Sequence, residues 1–290
     1  MPSLRSGRWE ADIYSSFSIF GWKSTLAEEI INQRLQMVNR LFKESPSGLV
    51  LTLVSGGFSF LLLFYMIAKS PHQLRYDEAY HLHLVKSIET NGLYNSLLDT
   101  NNQSAAGPLF AGIQLALKNV TQEKPPGIRW VNGVLLATAI GMLALIKPQA
   151  KSQTAAISCA ALALVGVPFL WPSAGMALTE IPAFTFFCAF LFCFRQIFQS
   201  SSPRFTLSAI FAASAGAFLG LAILGRQTYL TVIPVLSFLF FLRPVRPLLI
   251  VITVVSALLV STWLFWIWGG LVPPSQAKVN QGLQWKPGLS

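Results

Sequence analysis

The chain has 290 residues, 53% of them hydrophobic and 11% charged, with a formal net charge of +10. A soluble domain carries about 25% charged residues, and the apolar residues here fall in runs close to the roughly 20 needed to cross a bilayer; together these exclude an ordinary soluble core. The basic residues lie mostly between the runs, which suits anchoring at anionic headgroups. No basic face interleaved with stacking aromatics is present, so nucleic acid is not an expected partner.

Residues 1–47 contain no apolar core and read as a cytoplasmic tail. Within it, residues 24–44 open like a surface helix, with Ser24 or Thr25 as cap and Glu28 and Glu29 in the first turn. The first span is predicted over 48–68, followed by a polar external loop over 69–127. In that loop Glu78 to Asn91 reads as an amphipathic helix, with Tyr80, Leu84, Val85 and Ile88 on one side and Asn91-Gly92 as its stop. A short apolar piece over 107–117, with Pro108 in its first turn, is too short to cross and reads as interfacial or re-entrant. Pro125-Pro126-Gly127 breaks the chain before a span at 128–147.

Further spans are predicted over 153–171, 179–198, 206–224, 228–242 and 247–268, the second-last short enough to be broken or re-entrant. The expectation is an all-α polytopic membrane protein, a transmembrane core over 48–268 with about seven helices, a helical first external loop and an external tail over 269–290. Trp171, Trp263, Trp266 and Trp268 fall at span ends and read as interface belts. Cys159, Cys188 and Cys193 sit in apolar runs as small hydrophobes.

Short loops set the orientation. Lys147, Lys151, Arg195, Arg204, Arg243 and Arg246 flank spans on one side, against Arg226 alone in the short connections opposite. That bias puts the amino terminus in the cytoplasm, and the loop 69–127, Glu180, Arg226 and the carboxyl tail outside it.

Asp77 and Glu78 are neighbours that a helix would point about 100° apart, so one can face a substrate while the other holds structure. A carboxylate at the rim of a low-dielectric membrane, if unpartnered, is a suitable general base. Arg226 follows an apolar run, where a guanidinium is costly unless it meets an anion or water; it suits bidentate phosphate binding. Glu180, at the start of a span, suits either the helix dipole or an arginine. His81 and His83 are two apart, which is not the spacing of a helical zinc pair.

These residues carry a resemblance. Tyr76-Asp77-Glu78-Ala79-Tyr80-His81 resembles the acidic motif in the first external loop of the GT-C superfamily of integral-membrane glycosyltransferases. Gly107-Pro108-Leu109-Phe110 is similar to the turn that follows it there, and Ala177-Leu178-Thr179-Glu180-Ile181-Pro182 to the start of a later span. Gly220 to Thr228, with Arg226 inside it, resembles the stretch where these enzymes place a basic residue near a lipid phosphate. The resemblance extends over residues 48–275 and includes the dolichyl-phosphate-glucose-dependent and protein mannosyltransferase branches. It implies transfer of a sugar from a polyprenyl-phosphate carrier to a glycan, lipid or protein acceptor outside the cytoplasm, at the plasma or inner membrane or the endoplasmic reticulum. Asp77 is then the base, Glu78 the next candidate, and Arg226, His81, Glu180 and Tyr76 bind substrate or phosphate. Some members use a divalent ion and others do not; Asp77 with Asp99 is the pair that would serve one, and no cofactor is assigned. The chain ends at Ser290, earlier than the resemblance predicts, so a truncated chain, a short member or completion by a partner is expected. The alternative class is a non-enzymatic membrane protein, either a lipid-linked-sugar transporter or an inactive scaffold.

Overall fold

The computed structural model describes residues 57–58, 61, 64–65, 67–69, 78–100, 106–122, 124–146, 179–199, 205–239 and 247–276. All of these belong to the compact unit Thr52–Ser290. The predicted tail 1–47 and the predicted span 153–171 lie outside them, as do Tyr76, Asp77, Cys159 and Trp171. The described residues are helical, with no strand among them.

A layer of short helices comes first: α1 (Glu78–Asn91), α2 (Leu93–Leu98), α3 (Leu109–Ala116) and α4 (Lys118–Thr121). The bundle follows: α5 (Pro125–Leu145), α6 (Glu180–Gln199), α7 (Phe205–Gly225) and α9 (Pro247–Trp268). Between the last two, a 3-10 turn (Gln227–Thr231) runs into the short α8 (Val232–Leu239). The four bundle helices are each long and apolar enough to cross a membrane, and the chain is a membrane protein.

Local sequence explains the boundaries. Gly92 ends α1 at φ 79 and ψ 163, a region essentially reserved to glycine. Pro125 and Pro126 lie inside the first turn of α5 rather than breaking the chain before it, because the missing N–H costs nothing there. The helix therefore starts earlier than the predicted 128. Arg226 adopts an extended backbone, φ −145 and ψ 118, and stops α7.

Helices α6 and α7 pack antiparallel: Ala183 lies near Gly225, and Ile197 packs with Ala212 at the other end. Helices α7 and α9 run in the same direction. Gly216 sits against Thr253 and Ser256, and Gly220, one turn on, against Ala257 and Val260. The contact is made of small residues four apart, Ala212, Gly216 and Gly220 facing Thr253, Ala257 and Ser261, all buried. Small residues let helix backbones approach closely where lipid supplies no hydrophobic drive, and Ser256 Oγ adds a 2.9 Å hydrogen bond to the Ala213 carbonyl. The opposite side of α9 carries the exposed apolar residues Leu248, Val251, Val255, Leu259 and Trp266. Because α7 and α9 are parallel, Gly225 at the end of α7 and Pro247 at the start of α9 lie at opposite ends of the bundle.

Two details of the sequence reading change. Tyr80 is 43% exposed rather than on the buried side of α1; the buried stripe is Glu78, His81, Leu82 and Val85, at the 3.6-residue period. Trp268 is 4% exposed and packs in the main core with Leu97, Leu264 and Phe265, whereas Trp266 faces outward. Two positions in a last helical turn point about 200° apart, so both could not share one belt. Cys188 and Cys193 are buried free thiols.

The glycine contacts yield a paired test. In Gly216→Ala the added Cβ would fall 2.2 Å from the Thr253 carbonyl oxygen, whereas at Gly141 it would meet nothing within 4 Å. Both changes gain the same helix propensity of about 1 kcal/mol, but only the first overpacks, at about 1–3 kcal/mol. Thermal unfolding in detergent should show Gly216→Ala less stable than the parent and Gly141→Ala equal or more stable.

Candidate functional site

One end of the bundle holds Glu180 and Arg226. Helix α6 begins there, and α7 and α9 end there, beneath the layer of short helices. Gly107, leading into α3, lies so close to α7 that a Cβ would fall 2.0 Å from the Leu224 carbonyl oxygen and 3.1 Å from Leu264 of α9. Only glycine admits that approach. Gly225 is enclosed in the same way by Ala183 of α6 and Leu109 of α3. The segments Gly107 to Phe110, Thr179 to Pro182 and Leu224 to Arg226, which are far apart in sequence, thus meet at one place.

Arg226 leaves the end of α7 there and forms an ion pair with Glu180 Oε1 at the start of α6. Both side chains remain partly exposed. Of the two roles the sequence allows Glu180, pairing with an arginine is the one seen. Tyr229, one turn beyond Arg226, packs its ring 4.9 Å from that of Phe187 of α6, tilted by 31°, which holds the break in the helix against the bundle.

A second ion pair lies inside the layer. Arg129 Nε donates to Glu78 Oε1 at 3.0 Å and Arg129 Nη2 donates to Oε2 at 2.7 Å, the parallel fork of a bidentate guanidinium–carboxylate pair. The side chains are 1% and 0% exposed. Around them, Leu82, Leu84 and Val85 of α1, Phe110 and Ala111 of α3 and Ile128 of α5 form one apolar cluster. His81 is buried one turn along α1 from Glu78, its ring 5.8 Å from that of Phe110. Consecutive residues of α3 reach the surroundings of both ion pairs: Leu109 packs on Gly225, the residue before Arg226, and Phe110 packs in the cluster that holds Ile128, the residue before Arg129.

Glu78 therefore holds structure: both its oxygens are engaged by Arg129. Arg129 is not among the candidates that the sequence analysis singles out. Its signal was the one used for Arg226, an arginine at the margin of an apolar run that must meet an anion. Asp77 and Tyr76 lie outside the described residues, and Asp99 closes α2, half-buried. Among the described residues no three His, Cys, Asp or Glu side chains come together as a metal site. The chain matches no model of a known protein family and no curated protein sequence.

Removing one partner of a buried ion pair leaves an unpaired charge and costs about 3–5 kcal/mol. Arg129→Ala should accordingly lower the unfolding temperature and the yield of folded protein in detergent. The double change Glu78→Gln with Arg129→Met should recover much of that loss. If Arg129→Ala proved as stable as the parent, the pair would not hold the layer together.

Proposed function

We propose that this protein is a GT-C-type glycosyltransferase that moves a sugar from a polyprenyl-phosphate carrier to an acceptor hydroxyl on the extracytoplasmic side of its membrane. The observation that carries this reading is the meeting of three of the four resembling segments at one end of the bundle, around the Gly107 to Phe110 turn, with Arg226 at its edge. An arginine at the boundary of an apolar helix fits a ligand whose tail is hydrocarbon and whose head is anionic.

In this reading Asp77 is the base. It removes the proton of the acceptor hydroxyl as the oxygen forms a bond to the anomeric carbon. The bond from that carbon to the carrier phosphate breaks, with inversion. The charge returned to the phosphate is stabilised by the Arg226 guanidinium, through hydrogen bonds strongest when that charge has developed. Glu78 acts as a positioning residue: clamped by Arg129, it fixes the backbone on which its neighbour Asp77 stands. The remaining contributions are the layer of short helices, which covers the reaction, and the predicted seven-span arrangement, which puts that layer outside the cytoplasm.

Transfer from polyprenyl-phosphate-linked glucose or mannose in membranes tests this. Asp77→Asn should reduce turnover by about 100-fold or more, the usual contribution of a general base, while leaving the unfolding temperature unchanged. Arg226→Ala should reduce it as well. Unaltered transfer by Asp77→Asn would remove Asp77 as base. No transfer by the unmutated protein with any such donor would favour a transporter or a scaffold.

A further inference from the structure

Thr179 and Glu180 precede the first full turn of α6, and each carries a buried oxygen with unmet hydrogen-bonding capacity. Thr179 is 1% exposed and its Oγ1 has no hydrogen-bond partner; Glu180 Oε2 has none either, its other oxygen being the one held by Arg226. The local sequence accounts for the hydroxyl. A threonine before a helix ordinarily accepts a hydrogen bond from the N–H two or three residues on. Three residues on is Pro182, which has no N–H, and the hydroxyl makes no bond with the Ile181 N–H two residues on either. The Thr179 carbonyl takes the Ala183 N–H at 3.3 Å, and the hydroxyl is left over.

Leaving a buried polar atom unpaired is unfavourable, and here two occur on consecutive residues beside a cation. Isosteric valine would remove the penalty at position 179. The retained pattern is that of a site completed by something else. Arg226 and Glu180 keep about a third of their side chains exposed, 31% and 41%, so the group is open at its edge.

What would complete it follows from the inventory of donors and acceptors. Arg226, although paired with Glu180 Oε1, keeps an exposed edge that suits an anion. Glu180 Oε2 can only accept, so it calls for a donor, and Thr179 Oγ1 can do both. A phosphate diester bearing a neighbouring hydroxyl meets all three; the ionised phosphate of a bare carrier has no proton to give Glu180 Oε2. We propose that Thr179 Oγ1 and Glu180 Oε2 form a hydroxyl-recognition subsite beside Arg226, which reads the sugar of a polyprenyl-phosphate-linked donor while the arginine holds its phosphate. This rests on the glycosyltransferase reading above and adds to it the residues that select the donor: Thr179 and Glu180 bind sugar hydroxyls and Arg226 binds the carrier.

Binding measured in nanodiscs separates the two layers of the proposal, with three probes: a short-chain polyprenyl phosphate, its glucosyl ester, and a dideoxyglucosyl ester lacking two ring hydroxyls. The unmutated protein should bind the glucosyl ester at least 10-fold more tightly than the other two. Thr179→Val should erase most of that preference, bind bare polyprenyl phosphate as the unmutated protein does, and unfold at an equal or higher temperature. Arg226→Ala should weaken binding of all three. Equal affinity of the unmutated protein for all three probes would overturn the subsite and leave the phosphate site standing. An undiminished preference in Thr179→Val would remove Thr179 from it. Failure of every probe to bind would overturn the phosphate site, and the subsite with it.

Discussion

The buried pair between Glu78 and Arg129 is the interaction on which the layer of short helices depends. It joins the first residue of α1 to the fifth residue of α5, 51 positions apart, and does so where neither charge can reach water. Taking two ions out of water costs several kcal/mol each. A bidentate fork repays that only when both planes are fixed. The apolar cluster of α1, α3 and α5 fixes them, and the pair in turn ties α1 to α5. Packing and charge hold each other in place here, so neither can be altered alone.

The second pair obeys different physics. Arg226 and Glu180 lie at the surface of the bundle end, where solvent weakens their attraction. One pair is sealed and fixed; the other is part-exposed and open to exchange its partner. Leu109 and Phe110, adjacent in α3, touch the surroundings of both. This contrast suits a division between a residue that places its neighbour and a residue that meets an incoming anion.

Much of the helical outline was legible in the sequence, because long apolar runs and glycine or proline stops report on local physics. Helix α1 runs from Glu78 to Asn91 with the stop that Asn91-Gly92 predicts, and α9 fills the predicted 247–268. Side-chain direction was less legible. Tyr80 and Trp268 were placed by residue type, yet helical phase decides which side each occupies. Pairing was least legible. Nothing local says that Glu78 meets Arg129, or that Glu180 meets Arg226, since each contact depends on how distant segments return. The convergence at Gly107 was likewise invisible, for a glycine that admits a backbone looks in sequence like one that ends a helix.

The closeness of Gly107 to Leu224 has a mechanical consequence. With main chain against main chain, and Gly225 wedged between Ala183 and Leu109, the layer over the bundle end is bolted down rather than hinged. Lifting it would break the contacts that shape the ion pairs beneath.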